Sequence, residues 1–317
     1  MRLSAADCLR RGWTNLSANW ELVLIQWLQS FLVTALLALG VVLPLLIVGA
    51  NLSAGPGAAR QAEEVARRLA HLGPSLLLAL AAMAAVWTLS LLLHCYFLAG
   101  TFGILTAADR QALPGSRRRR EFFRAFSLRD FLGWGALYVW RFLRLSVLFW
   151  GVVVLLGAAV ALWLGFTAAG GGRWGSPAAL GIGCGGALPL GFLALTVALW
   201  LGVAQAALAR EGSGVRDASR RGLAVLGRRL GAVIVLFLLV ALAAIGLAMV
   251  FFPLAAATDG LLAGAPLAAR ALVRCLLLLV QSLPNTLLAM VLAGSLVALV
   301  RSETPSEFRR NPEVQPA

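Results

Sequence analysis

Residues 231–256 read GAVIVLFLLVALAAIGLAMVFFPLAA, without one charged or hydrogen-bonding side chain. A helix needs roughly 20 apolar residues to cross the hydrocarbon core of a bilayer, and this run exceeds that. Immediately before it, residues 217–229 read DASRRGLAVLGRR, which is helical in pattern and rich in arginine. An arginine-rich helix feeding an uninterrupted apolar run marks a chain entering a membrane.

Working outward, six such runs are found, at residues 22–50, 74–106, 142–166, 178–206, 231–256 and 271–300. They are continuous rather than alternating, which excludes transmembrane β-strands. Several exceed the minimum length, so tilt or an interfacial extension is expected. Composition agrees: 61% of residues are hydrophobic and 13% charged, far from the roughly 45–50% and 25% of soluble domains. The expected fold class is all-α, a polytopic membrane protein with six transmembrane helices. The first run starts behind a polar segment and is too long for a signal-peptide core of about 7–15 residues. It is therefore expected to remain as an uncleaved span.

The net charge of +14 is carried by arginine alone, and no lysine occurs. With abundant Ala, Gly and Leu, this points to a GC-rich bacterial genome. The connections alternate in charge. The N-terminal segment, the second and fourth connections and the tail hold 21 arginines, and the other side holds 6. The positive-inside rule then places both termini in the cytoplasm of a bacterial inner membrane. Arg10, Arg11, Arg117, Arg118, Arg119, Arg120, Arg141, Arg144, Arg220 and Arg221 are read as interfacial groups for anionic lipid headgroups. No recognition module accompanies the basic run, so nucleic acid is not an expected partner. A protein partner or homo-oligomer stays open.

The segment at 217–229 has a near copy at residues 7–16, DCLRRGWTNL, and a weaker one at 130–139, DFLGWGALYV. Each keeps an aspartate and a glycine five residues later: Asp7/Gly12, Asp130/Gly135 and Asp217/Gly222. Ser4 and Ser127 stand three residues before their aspartates, as in a capping box. Asp7–Arg11 and Asp217–Arg221 have the spacing of helical ion pairs. The even-numbered spans end in Arg110, Arg210 and Arg301. One membrane domain with three pseudo-repeat units is expected, at 1–106, 107–206 and 207–301, with a tail at 302–317. Each unit combines an amphipathic interfacial helix with a helical hairpin. In architecture the chain resembles bacterial six-span membrane proteins of unknown function, related to the membrane domain of glycerophosphoryl diester phosphodiesterases. The residues carrying this are ALAREGSGVRDASRRGLAVLGRRLGAVIVLFLLV (207–240) and FFRAFSLRDF (122–131). The soluble phosphodiesterase domain has no counterpart, so the resemblance implies architecture and no catalytic residue.

Residues 58–72, AARQAEEVARRLAHL, are expected to form a separate amphipathic helix, resting on the membrane surface or capping an outward-facing cavity. Gly181 and Gly185 make a GxxxG pair that predicts close helix approach.

Polar groups inside spans are the functional candidates, because burying them in lipid is costly. The foremost cluster is QSLPNT, where Gln281 and Asn285 share a helical face and Pro284 frees a backbone carbonyl. Two readings stand: a polar turn lining a substrate path, or amides bridging helices beside a kink. Gln26, His94 and Gln205 read as isolated packing contacts. Cys8, Cys95, Cys184 and Cys275 show no metal-ligand or disulfide spacing and read as small buried residues. No cofactor or metal is expected. The expected function is that of a non-enzymatic membrane protein, transporter-like or a scaffold component. The alternative is an intramembrane enzyme acting on lipid or peptide.

Overall fold

The computed structural model describes residues 3–53, 62–112, 120–174, 176–212, 214–262 and 264–303. Among them seven α-helices and one 3₁₀ turn are found, and no strand: α1 Ala5–Ala18, α2 Glu21–Ser53, α3 Ala62–Gln111, the turn Arg120–Phe123, α4 Leu128–Trp174, α5 Ser176–Glu211, α6 Val215–Leu261 and α7 Leu267–Glu303. Six are long and apolar enough to cross a membrane. The polytopic all-α expectation holds.

Helices α3, α5 and α7 touch one another and form the inner triangle. Outside it, α2 packs on α3 and α7, α4 on α5 and α3, and α6 on α7 and α5, so the pattern is cyclic. The three helices that open the sequence repeats begin alike, at Ala5, Leu128 and Val215, each two residues before its aspartate. At α1 the capping box forms as expected. Ser4 Oγ accepts the Asp7 N–H at 3.1 Å, and Asp7 accepts the Ser4 N–H at 3.4 Å. Gly214 caps α6 without a side-chain bond.

The repeat glycines explain the packing. A Cβ on Gly12 would lie 2.5 Å from the backbone nitrogen of Ser295 on α7. One on Gly135 would lie 2.9 Å from the Tyr96 ring on α3, and one on Gly222 would meet Ala204 of α5 at 3.0 Å. Each glycine thus lets its helix press against an inner helix. The expected approach at Gly185 is not present, since nothing lies within 4 Å of its would-be Cβ. Gly181 falls where side-chain surroundings are not described. Close contact belongs to the lead helices rather than to this glycine-rich start.

The helices that lead into the spans are joined to them to different degrees. Only α1 is a separate element, ended by Asn19 with φ −120° and ψ 47°. Helix α6 carries a break at Arg229, φ −134° and ψ 25°, while α4 runs from Leu128 through its span. The helix expected at 58–72 is not separate either. Its first residues lie outside the described ones, and from Ala62 the backbone stays helical through Gly73 and Pro74 into α3. Strong helix formers on both sides offset the bond that proline removes.

Asn19 fixes the α1–α2 corner. Its Oδ1 accepts the Ala125 and Phe126 N–H groups, both at 2.9 Å, and its Nδ2 donates to the Phe123 carbonyl at 2.7 Å. Arg124 reaches back, donating from Nη1 to Glu21 at 2.9 Å. The loop before α4 is thereby clamped to the start of α2.

Burial is concentrated at the end of the bundle that holds α1 and the ends of α3, α5 and α7, here called the proximal end. Side chains at 199–209 and 290–300 are nearly all buried. At the distal end Leu242, Met249 and Phe252 of α6 and Leu155 and Leu162 of α4 are exposed, as lipid contact requires.

Candidate functional site

A cleft of about 460 Å3 lies between α2, α3, α5 and α7, with Phe237 of α6 at its side. Gln26, Gln29 and Ser30 enter it from α2, and His94 and Phe102 from α3. Gly202 and Gln205 come from α5, and Ser282, Asn285, Thr286, Ala289, Ala293 and Leu296 from α7. At a rise of 1.5 Å per residue, His94 lies about 24 Å along α3 from Arg110, and Asn285 about 24 Å along α7 from Arg301. Gln205 lies only about 8 Å from Arg210. The mouth residues His94, Asn285 and Ala289 are exposed, whereas Gln26, Gln205 and Leu296 are buried. The cleft therefore has a closed proximal floor and an open distal mouth.

Of the polar trio expected on α7, only Asn285 lines the cleft. The lining ridge follows Ser282, Thr286, Ala289 and Ala293, so Gln281 and Pro284 fall to one side of it. Around the proline, Trp27 Nε1 donates to Ser282 Oγ at 2.8 Å, and Ser282 Oγ donates to the Leu279 carbonyl at 2.7 Å. The groups bridging helices at this turn are thus the Trp27 indole and the Ser282 hydroxyl, not the amides of Gln281 and Asn285.

The residues read as isolated are brought together. Gln26 donates to the Phe97 carbonyl at 3.0 Å and to Thr101 Oγ1 at 2.6 Å, so it does serve packing. His94 Nδ1 lies 3.4 Å from Gln29 Nε2. Gln205 differs: it is 8% exposed and, among the described residues, its amide meets no hydrogen-bond partner. Sequence reasoning passed over Gln29 and Ser30, and quoted Thr286 within QSLPNT without giving it a role, because single hydroxyls and amides carry no periodic signal of their own.

Beneath the floor sits an ionic hub that the sequence reading also missed. Asp109, 1% exposed, ends α3. Arg11 Nε donates to its Oδ1 at 2.6 Å and Arg210 Nη1 to its Oδ2 at 3.1 Å, and Arg301 Nη1 lies 3.3 Å from Oδ2. Arg11 and Arg301 also donate to the Asp109 and Ala112 carbonyls. Arg110 donates to the Arg210 carbonyl. Cations here satisfy helix C-terminal carbonyls as well as the acid. One carboxylate thus ties α1, α3, α5 and α7. The clue was the acidic residue in AADR, where the matching ends read ALAR and ALVR.

This changes the reading of several arginines. Arg11 is buried on Asp109 rather than facing lipid headgroups. Arg141 donates to the Gly212 carbonyl and stacks near Tyr138. Arg221 Nε lies 3.2 Å from Glu211, and Arg229 Nε 3.2 Å from Glu303. Arg10, Arg120, Arg144 and Arg220 remain exposed, with Arg120 donating to Ser17. Arg117, Arg118 and Arg119 lie outside the described residues. Among the described cysteines, Cys8 and Cys95 are buried as expected, while Cys275 is exposed at the distal end. Cys95 Sγ lies 3.5 Å from Ser146 Oγ, away from the partner of His94. No metal-holding cluster occurs among the described residues. Comparison with protein-family models, curated proteins and solved structures finds no match.

Proposed function

We propose that the chain is a non-enzymatic, transporter-like component of a bacterial inner membrane, with both termini in the cytoplasm. The observation that carries this reading is the cleft: polar side chains from α2, α3, α5 and α7 meet at membrane depth above a closed proximal floor. Sites at the midplane between repeated helical units are typical of membrane carriers. The three matching helix starts and the cyclic packing support units at 1–106, 107–206 and 207–301. Exposed Arg10, Arg120, Arg144 and Arg220, with exposed Trp13, Trp20 and Trp140 at the same end, support anionic headgroups as neighbours. The resemblance to six-span membrane proteins remains a reading of architecture.

Ala289→Cys on a cysteine-free background tests the cleft. The thiol is expected to react with a membrane-impermeant maleimide from the face opposite the termini. No reaction from either face overturns the reading. Orientation is tested separately by Asp217→Cys, where labelling from the periplasmic side reverses the assignment.

A further inference from the structure

The chemistry lining the cleft selects among cargoes. Among the described residues no Asp, Glu or Arg side chain lines it, and the ionic groups nearest its floor are already engaged with one another around Asp109. A charged cargo would lose its hydration there and gain no counter-ion. A pure hydrocarbon would cover the Gln205 amide, which opens onto the cleft near its floor, and leave it without a partner, where an unmade hydrogen bond is costly. That amide offers both a donor and an acceptor, as does Asn285 nearer the mouth. Most of the remaining wall is apolar, from Leu98 and Phe102 to Phe237, Met290 and Leu296. Beyond the mouth, exposed Leu37, Trp87 and Leu278 continue an apolar surface into the region of lipid chains.

Resting on the transporter-like reading, we propose that the cleft takes an uncharged amphiphile, its hydroxyl- or amide-bearing head hydrogen-bonded to Gln205 and Asn285 and its acyl part leaving by the distal mouth. The volume suits a ligand of ordinary small-molecule size, within the roughly 300–1,000 Å3 of typical sites. The head descends to Gln205 because that amide lines the cleft near its floor and, among the described residues, has no hydrogen-bond partner. His94 and Gln29 guard the mouth, where their mutual contact closes part of the polar rim.

The test uses the full-length Ala289→Cys protein in nanodiscs and reads protection of the thiol from maleimide. Dioctanoylglycerol, an uncharged diacyl alcohol, is expected to protect, and dioctanoyl phosphatidic acid to protect at least tenfold less well. Gln205→Leu should weaken protection by dioctanoylglycerol about tenfold, the loss of one well-made hydrogen bond. Asn285→Leu, at an exposed position that folding tolerates, should weaken it severalfold. Equal protection by the phosphatidic acid, or protection by sucrose with none by dioctanoylglycerol, overturns the cargo class while leaving the cleft as a binding site. Protection unchanged in both leucine variants overturns the assignment of the head to Gln205 and Asn285. A thiol unreactive without any ligand, in nanodiscs and in vesicles alike, sinks the transporter-like reading itself.

Discussion

The proximal and distal ends of this bundle solve opposite problems with the same helices. At the proximal end α1, α3, α5 and α7 converge on Asp109, and side chains from 203 to 209 and from 293 to 300 are buried. At the distal end α3, α5 and α7 expose Trp87, Leu193 and Leu278, as α2 exposes Leu37, and α4 and α6 are apolar on nearly every face. Lipid takes the place of protein there. Association of helices in lipid lacks the hydrophobic drive available in water, so packing and polar contacts must hold them. Those contacts are concentrated at one end, and the cleft opens above the densest of them.

The comparison breaks most directly at Asp109. Asp109→Ala leaves three guanidinium groups around a vacated, buried site. Removing one partner of a buried ion pair costs about 3–5 kcal/mol, and here one acid serves Arg11, Arg210 and Arg301. The variant is expected to lose most of its monodisperse yield and to melt well below the parent in detergent. Melting at the parent temperature would mean that the hub does not hold the proximal end. A distal ion pair gives the contrast. Arg274 pairs with Asp259 at 2.6 Å but both side chains are largely exposed, so Arg274→Gln should leave melting nearly unchanged.

Apolar packing sharpens the same contrast within one helix. Leu236 of α6 is fully buried, and Leu242, further along it, is 63% exposed. Leu236→Ala should cost about 2 kcal/mol or more through lost contacts and a cavity, while Leu242→Ala should cost little in a lipid-facing position. Equal melting shifts for the two would show that the distal end is packed as tightly as the proximal one. Glycine tests give a smaller effect of the same sign. Gly12→Ala puts a methyl 2.5 Å from the Ser295 backbone nitrogen, and overpacking of that kind costs about 1–3 kcal/mol. Gly185→Ala meets open space and should be neutral or slightly stabilising, since alanine favours a helix.

The legible and illegible parts of the sequence divide along this boundary. Runs such as 231–256 announce spans because lipid imposes one rule on every residue, and that rule is visible one helix at a time. The aspartate–glycine spacing marked three helix starts, since capping and close packing are also local. The hub was illegible because Arg11, Asp109, Arg210 and Arg301 are far apart in sequence, and each arginine alone looks like a topology signal. The cleft was half legible. Asn285 was found through its span, but Gln205 gained meaning only once α5 was seen to place it beneath α7. Gln281 shows the limit of counting four residues along a helix, because the neighbouring ridge through Ser282 and Thr286 faces the cleft instead.

Cysteine chemistry gives the gentlest probe of the two ends. Burial, working against the pull of the nearby Arg229, pushes the Cys8 thiol from its usual 9.0 up to about 12. The native thiol therefore keeps its proton when that of the unfolded chain has lost it. The Cys8 contribution to stability is fully present below pH 9.0 and declines as pH rises from there toward the native value. Between pH 9 and pH 10 the loss should be about 1 kcal/mol, visible as a steeper fall in melting temperature than in Cys8→Ala. A thiolate is the nucleophile, so N-ethylmaleimide at pH 8 should modify the exposed Cys275 and spare Cys8 until the proximal end opens. If Cys8 reacts as fast as Cys275 in the folded protein, α1 is not seated on α7, and the proximal end is as loosely covered as the distal one.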